Sequence, residues 1–151
     1  MELKSTAFEA GAMIPKQYTG DGQNISPPLD WEVVPNGTQS FALFCDDPDA
    51  PGGTWVHWVI FNLPANMREL PENIPSQKSL ANGAKQGTND FHAIGYGGPC
   101  PPSGEHRYFF KLYALNTKLN LDAGVKKANL LKAIEGHILA ESKLLGKYRR
   151  R

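Results

Sequence analysis

Residues 40–62 read SFALFCDDPDAPGGTWVHWVIFN, and the fold turns on how this stretch divides. Its first part, SFALFCD at residues 40–46, is a short aromatic run that stops at Pro48, Pro51 and two glycines, the pattern of a buried strand entering a stiff loop. Its last part, WVHWVIFN at residues 55–62, has the β-branched and aromatic content of a second strand. Strict alternation puts Trp55, His57, Val59 and Phe61 on one face and Val56, Trp58 and Ile60 on the other. Both faces are apolar, so both are expected to be covered.

Downstream, RYFFKLYAL at residues 107–115 alternates as a third strand, with Tyr108, Phe110, Leu112 and Ala114 opposite Arg107, Phe109, Lys111 and Tyr113. Over residues 126–145 the period becomes helical: Leu131, Ile134, Ile138 and Leu145 share a face, and Lys127, Glu135, Glu141 and Lys143 oppose it. The spacing predicts an amphipathic C-terminal helix. It must be stabilised by docking, because it lacks a Ser/Thr capping box and carries Gly136, which costs roughly 1 kcal/mol relative to Ala in a helix interior. Before residue 37 the chain is broken by Pro15, Gly20, Gly22, Pro27 and Pro28 into short extended pieces. Strands preceding one late helix predict an all-β sandwich with minor, peripheral helix rather than a βαβ fold. No repeat or linker divides residues 1–151, so a single domain is expected.

Composition narrows the function. A chain of this length buries roughly 68–70% of its unfolded surface and needs no disulfide or structural metal to fold. Lys+Arg 16 against Asp+Glu 15 leaves a net charge of +1, which gives no electrostatic footprint for nucleic acid or for bulk attraction to a membrane. Glu2, Lys4 and Glu9 occupy the region where a signal peptide would need an apolar core, and no run approaches a membrane span. A soluble, cytoplasmic protein is expected. Cys45 and Cys100 form no CxxC pair and are too few for a disulfide framework, so reduced thiols are expected.

Three polar elements stand out. Asp47 and Asp49 lie in DDPDAPGG, where the prolines limit how far the loop can relax; taken alone, the stretch favours a turn in which Asp caps its own backbone. His57 sits mid-strand between Trp55 and Trp58, as a core histidine or a ligand group. The stretch GYGGPCPPSGEHRY at residues 95–108 combines glycines that can bring bare amides to an anion with prolines that stiffen the wall, or is simply a long stiff connection. His106 and Tyr108 alternate at the start of a strand and so point to one face. If the strands following the two loops are neighbours, Asp47, His57, His106 and Tyr108 converge beneath the glycine loop. Two imidazoles, a phenol and backbone amides would suit a phosphate or carboxylate.

At these residues the chain resembles the phosphatidylethanolamine-binding protein family, and within it the compact prokaryotic, Raf kinase inhibitor-like branch. The motifs stand in the family's order: YTGDGQNISPPLDW at residues 18–31, DDPDAP at 46–51, WVHW at 55–58 and GYGGPCPPSGEHRYFFKLYAL at 95–115, with LLGKYRR at the end of the expected C-terminal helix. The resemblance implies a Greek-key β-sandwich of two antiparallel sheets with an anion-binding cavity at one end, no cofactor, and action by binding and regulation rather than catalysis. Carried over by position, it implies ligand-binding roles for Asp47, Trp55, His57, Gly98, Pro99, His106 and Tyr108. Resemblance to the compact branch implies no long segment beyond Tyr148 and the basic residues 149–151, of the kind that in eukaryotic members contributes to the pocket mouth and partner docking. Position 56 is Val, so one histidine occupies the strand motif, and Cys100 follows Gly98 and Pro99 where eukaryotic members carry a second proline.

Other functions use the same residues. Cys100 with a histidine and Asp47 could form a nucleophile, base and orienting group of a hydrolase. His57, His106 and Asp47 could hold zinc, although they lack the close spacing of helix-borne zinc motifs. Aromatic strands and a docked helix can supply a homodimer face or meet a protein partner, and the basic tail can touch an acidic one.

Overall fold

The computed structural model describes residues 1–150. A small antiparallel sheet joins β1 (Glu2–Lys4), β2 (Leu29–Glu32) and β5 (Glu69–Leu70) in the order β1-β2-β5. A larger antiparallel sheet orders β6-β4-β3-β7-β8, built from β3 (Ser40–Asp47), β4 (Trp55–Pro64), β6 (Lys85–Gln86), β7 (Gly104–Leu115) and β8 (Ile138–Arg150). The two expected antiparallel sheets are therefore present. Leu3, Leu29, Trp31 and Leu70 of the small sheet pack onto Phe41, Leu43, Trp58, Ile60, Phe110 and Leu112 of the large one, forming the main core. Each large side chain fully buried there contributes about 1.5–3 kcal/mol.

The outer face of the large sheet is covered too. Ala42, Phe44, Val59, Phe61, Tyr113 and Leu115 lie under Leu119 and under Leu130 and Ile134 of α1 (Lys127–Ile134). This explains why β3 and β4 read as apolar on both sides. Lys127 Nζ adds a 2.5 Å bond to the buried carboxylate of Asp46, which Lys111 Nζ approaches to 3.4 Å. Among the described residues no helix is long and apolar enough to cross a membrane.

The sequence pattern predicted a helix over residues 126–145; only Lys127–Ile134 is helical, and residues 138–150 form β8. Gly136 adopts φ of 80°, a left-handed conformation that ends the helix and turns the chain onto the free edge of β7. There β8 pairs from Leu115↔Ile138 to Gly104↔Arg150, running along all of β7. The core-facing side of β8 carries Ser142, Leu144, Gly146 and Tyr148, so small and polar residues hide its period of two. Gly146 is required by space, because a Cβ there would stand 2.6 Å from Ile14 Cγ1. Ser142 accepts a bond from the Leu3 amide at 2.8 Å. In α1 the chain buries Leu130 rather than Leu131, which stays 42% exposed.

The Gly136→Ala substitution puts a Cβ into the left-handed region and is expected to cost about 1–2 kcal/mol. A lower urea midpoint at unchanged denaturant slope would register it; an unchanged midpoint would remove the role assigned to this glycine.

Candidate ligand-binding site

The β3–β7 ladder runs from Ser40↔Leu115 to Asp46↔Phe109 and stops. Beyond that point side chains carry the strands onward. Asp47 Oδ2 accepts a 2.6 Å bond from His106 Nδ1, with both side chains buried. Asp49 then takes the backbone N–H, Nε and Nη2 of Arg107, each at 2.9 Å. The guanidinium beside it, which donates two of those bonds, holds the Asp49 carboxyl down at about 2. Asp47 Oδ1 also accepts the Asp49 amide at 2.8 Å, so Asp47 both caps its own loop and orients a histidine. Where the backbones part, a cavity of about 280 Å³ opens.

His57 reaches this cavity through a β-bulge. Cys45 pairs with Trp58 but Asp46 pairs with Val56, which leaves His57 as the extra residue of β4. Strict alternation had placed His57 with Val59 and Phe61; the bulge separates them. Val59 and Phe61 enter the outer core, whereas the His57 ring meets Tyr108 edge-on at 5.2 Å and Phe91 at 5.3 Å. His57 Nδ1 donates to the Gly97 carbonyl at 2.6 Å, since a carbonyl can only accept. Burial pushes the His57 pKa below its ordinary value of 6.5, against the opposing pull of the Gly97 carbonyl and Asp47. The neutral ring then presents Nε2 as an acceptor. For His106 the Nδ1 hydrogen is likewise committed, to Asp47. Neither Nε2 has a protein hydrogen bond among the described residues.

At the floor lies Tyr108, fully buried, and its hydroxyl has no hydrogen-bond partner among the described residues. Only one other buried side-chain polar atom among the described residues shares that condition, Trp31 Nε1, and Trp31 does not line the cavity. Desolvation raises the Tyr108 pKa, so the phenol stays a donor. The walls are apolar: Trp55 and Phe91, in edge contact at 5.5 Å, face Pro51, Pro101 and Pro102. Cys100 stands at the exposed rim, while Cys45 is buried and both thiols are free. Behind the lining residue Pro101, Arg150 of β8 donates to the Pro101 carbonyl at 3.3 Å and pairs with Asp21. Of the other basic tail residues, Arg151 lies outside the described residues.

The structure thus brings together Asp47, Trp55, His57, His106 and Tyr108, but Gly98 and Pro99 do not line the cavity. The expectation that glycine amides would cradle an anion is corrected: Gly97 N–H bonds the His57 carbonyl at 2.9 Å and Gly98 N–H bonds Asn24 Oδ1 at 2.7 Å. Gly98 is needed because a Cβ would come within 2.5 Å of the Tyr18 carbonyl oxygen. The glycine loop contributes through the Gly97 carbonyl, which fixes the His57 tautomer. Phe91 was missed because residues 87–94 have no periodicity; an aromatic isolated in a polar loop was the available signal. No cluster of three potential metal-ligating side chains occurs among the described residues.

Residues 4–149 match the family model described as phosphatidylethanolamine-binding protein. The chain belongs to the phosphatidylethanolamine-binding protein family. It is 56% identical over 150 residues to the UPF0098 protein of Methanothermobacter thermautotrophicus, covering 99% of each chain. Among solved structures it resembles CT736 of Chlamydia trachomatis, described as a phosphatidylethanolamine-binding protein homologue, with a TM-score of 0.91 and 41% identity over 99% of this chain and 97% of that one. It also resembles YbcL of E. coli, described as a member of the mammalian family, with a TM-score of 0.90 and 34% identity over 99% and 98% of the two chains. Family and fold are those that the motif order implied.

Because the native pKa of His57 is depressed, the unfolded chain takes up this proton first as pH falls below 6.5. The His57 contribution to stability is therefore complete above 6.5 and lost as pH drops toward the native value. Imidazole resonances are expected to show His57 titrating below 6.5 in the free protein, and a midpoint at or above 6.5 would refute the burial argument.

Proposed function

We propose that this family member binds a small protonatable oxyanion, a phosphate or a phosphorylated head group, in the cavity between β3 and β7, and acts by occupancy, without turnover, to regulate a protein partner. The single observation that carries this reading is the unpartnered hydroxyl of Tyr108, fully buried at the floor of a cavity that both imidazoles line. A buried hydroxyl without a partner costs about 1–3 kcal/mol, and an oxyanion supplies the missing acceptor. The neutral His57 Nε2 needs a donor instead. A P–OH group beside P–O oxygens answers both demands at once, whereas sulfate carries no proton at neutral pH.

Two measurements test the reading. Phosphate is expected to bind more tightly than sulfate at pH 7.5, with the gap narrowing once the pH falls below the His57 pKa and the ring becomes a donor. Equal affinities at pH 7.5, with no perturbation of His57 or His106 resonances at millimolar phosphate, would sink it. Tyr108→Phe is expected to weaken phosphate binding about tenfold or more, while leaving stability unchanged or raised, because the hydroxyl it removes has no protein partner. A loss of stability with unchanged affinity would reverse the assignment.

The hydrolase reading depends on Cys100, since burial and the nearby Asp46 and Asp47 push the Cys45 thiol well up. Under the occupancy reading the wild type turns over neither phosphate nor carboxylate esters; an activity abolished by Cys100→Ser would favour the hydrolase.

A further inference from the structure

A second cavity, of about 240 Å³, adjoins the first. The two share Phe91 and Cys100 as lining residues, so these two side chains form the partition between them. The chemistry of the compartments differs. In the first, the Tyr108 hydroxyl and both Nε2 atoms are without partners among the described residues. In the second, the polar side chains have partners among the described residues apart from Asn24 Nδ2. Asn89 Nδ2 donates to the Gly95 carbonyl at 3.0 Å, and its Oδ1 accepts the Phe91 and Ala93 amides at 2.9 and 3.2 Å. Asn24 Oδ1 accepts the Gly98 amide, and the Tyr96 hydroxyl donates to the Tyr18 carbonyl at 2.6 Å. The rest of the surface is the Phe91 and Tyr96 rings, the Ala93 methyl and bare glycine backbone, with no charged side chain.

Phe91 is suited to the junction. Its ring lies over Gly97, where a Cβ would stand 2.6 Å from Phe91 Cδ2, and it meets Trp55 and His57 edge-on. It remains 40% exposed, on a loop outside either sheet.

We infer that the two cavities form one bipartite site, which takes a phosphate monoester whose substituent is uncharged and apolar, about the size of a phenyl ring. The oxyanion occupies the His57–His106–Tyr108 compartment and the substituent passes between Phe91 and Cys100 into the second. This rests on the oxyanion reading above and adds the nature of the group attached to it. Phe91 and Ala93 are then specificity-determining residues, and selectivity comes from apolar burial on one side of the partition and from hydrogen bonding on the other.

The native thiols supply the readout. Cys100 is exposed at the partition and Cys45 is buried, so the rate at which an aromatic disulfide reagent modifies the folded protein reports Cys100. At pH 6, inorganic phosphate, phenyl phosphate, phosphoserine and phenol are compared by calorimetry and by protection of Cys100. Phenyl phosphate is expected to bind at least tenfold more tightly than inorganic phosphate and to protect Cys100 the most; phosphoserine, with its charged substituent, gains no such preference. Ala93→Leu, which fills the second cavity from an exposed position, is expected to bring the ratio of the two affinities to about one. Equal binding of phosphate and phenyl phosphate by the wild type, or a preference that survives Ala93→Leu, overturns the bipartite site and leaves the oxyanion reading standing. Phenol protecting as well as phenyl phosphate would make the second cavity an independent apolar site and also overturns it. No binding of inorganic phosphate at all removes both readings together.

Discussion

The buried bond between Asp47 and His106 is the constraint on which the site depends. It lies beyond the last backbone pair of the β3–β7 ladder, Asp46↔Phe109, one residue along β3 and three along β7, and takes over where that ladder ends. Asp49 and Arg107 continue the same seam at the surface. There the two strands are joined by side chains instead of a backbone ladder, and the cavity lies beside that seam. A carboxylate so buried is tolerated only with its partners in place, because removing one of them leaves an uncompensated charge at a cost of several kcal/mol. Asp47 has two such partners, the His106 imidazole and the Asp49 amide, so the strand end and the turn following it are fixed by one residue.

The β-bulge in β4 is the complementary device. A regular strand would have sent His57 to the outer face with Val59 and Phe61, under α1 and away from His106. The extra residue turns His57 toward Tyr108 without disturbing Trp58 and Ile60, which remain in the main core. The Gly97 carbonyl then locks one ring nitrogen, as the Asp47 carboxylate does for His106. Both imidazoles are therefore held by Nδ1 and present the same nitrogen to the cavity, although their holders differ: a neutral carbonyl for one, a carboxylate for the other. That difference in partner, together with the desolvation of His57, is what makes the pair chemically unequal.

Strands β3, β4 and β7 were legible because each is long, aromatic and bounded by proline or glycine, and the cover on both faces followed from their apolar composition. Strand β8 was not. Its inward positions include Ser142 and Gly146, chosen by contact with Leu3 and Ile14 rather than by hydrophobicity, while Leu131, Ile134, Ile138 and Leu145 supplied a chance helical period. The positions of Asp47, His106 and Tyr108 could be read from motif and alternation together. What a linear reading could not supply was the bulge, since it depends on the pairing of Cys45 and Asp46 with a neighbouring strand, or the use of the Gly97 and Gly98 amides inside the protein. Both are properties of register and close approach, which spacing along one chain does not encode.

The two buried side-chain polar atoms left without partners among the described residues stand in different surroundings. Trp31 Nε1 lies in the core between the sheets, where the indole meets Phe41 at 5.4 Å and apolar burial of so large a side chain outweighs one missing bond. The Tyr108 ring gains the same burial, yet Phe would give that burial without the penalty of the hydroxyl. A phenol at this position adds a donor that no group among the described residues meets and that an acceptor inside the cavity can. Since the flanking groups are already fixed by Asp47 and Gly97, such an acceptor meets donors and acceptors whose orientation has been set in advance, and little ordering is left to oppose its binding. Under the proposed oxyanion reading, a site so organised discriminates by proton inventory, favouring an oxygen that accepts from Tyr108 beside one that donates to His57.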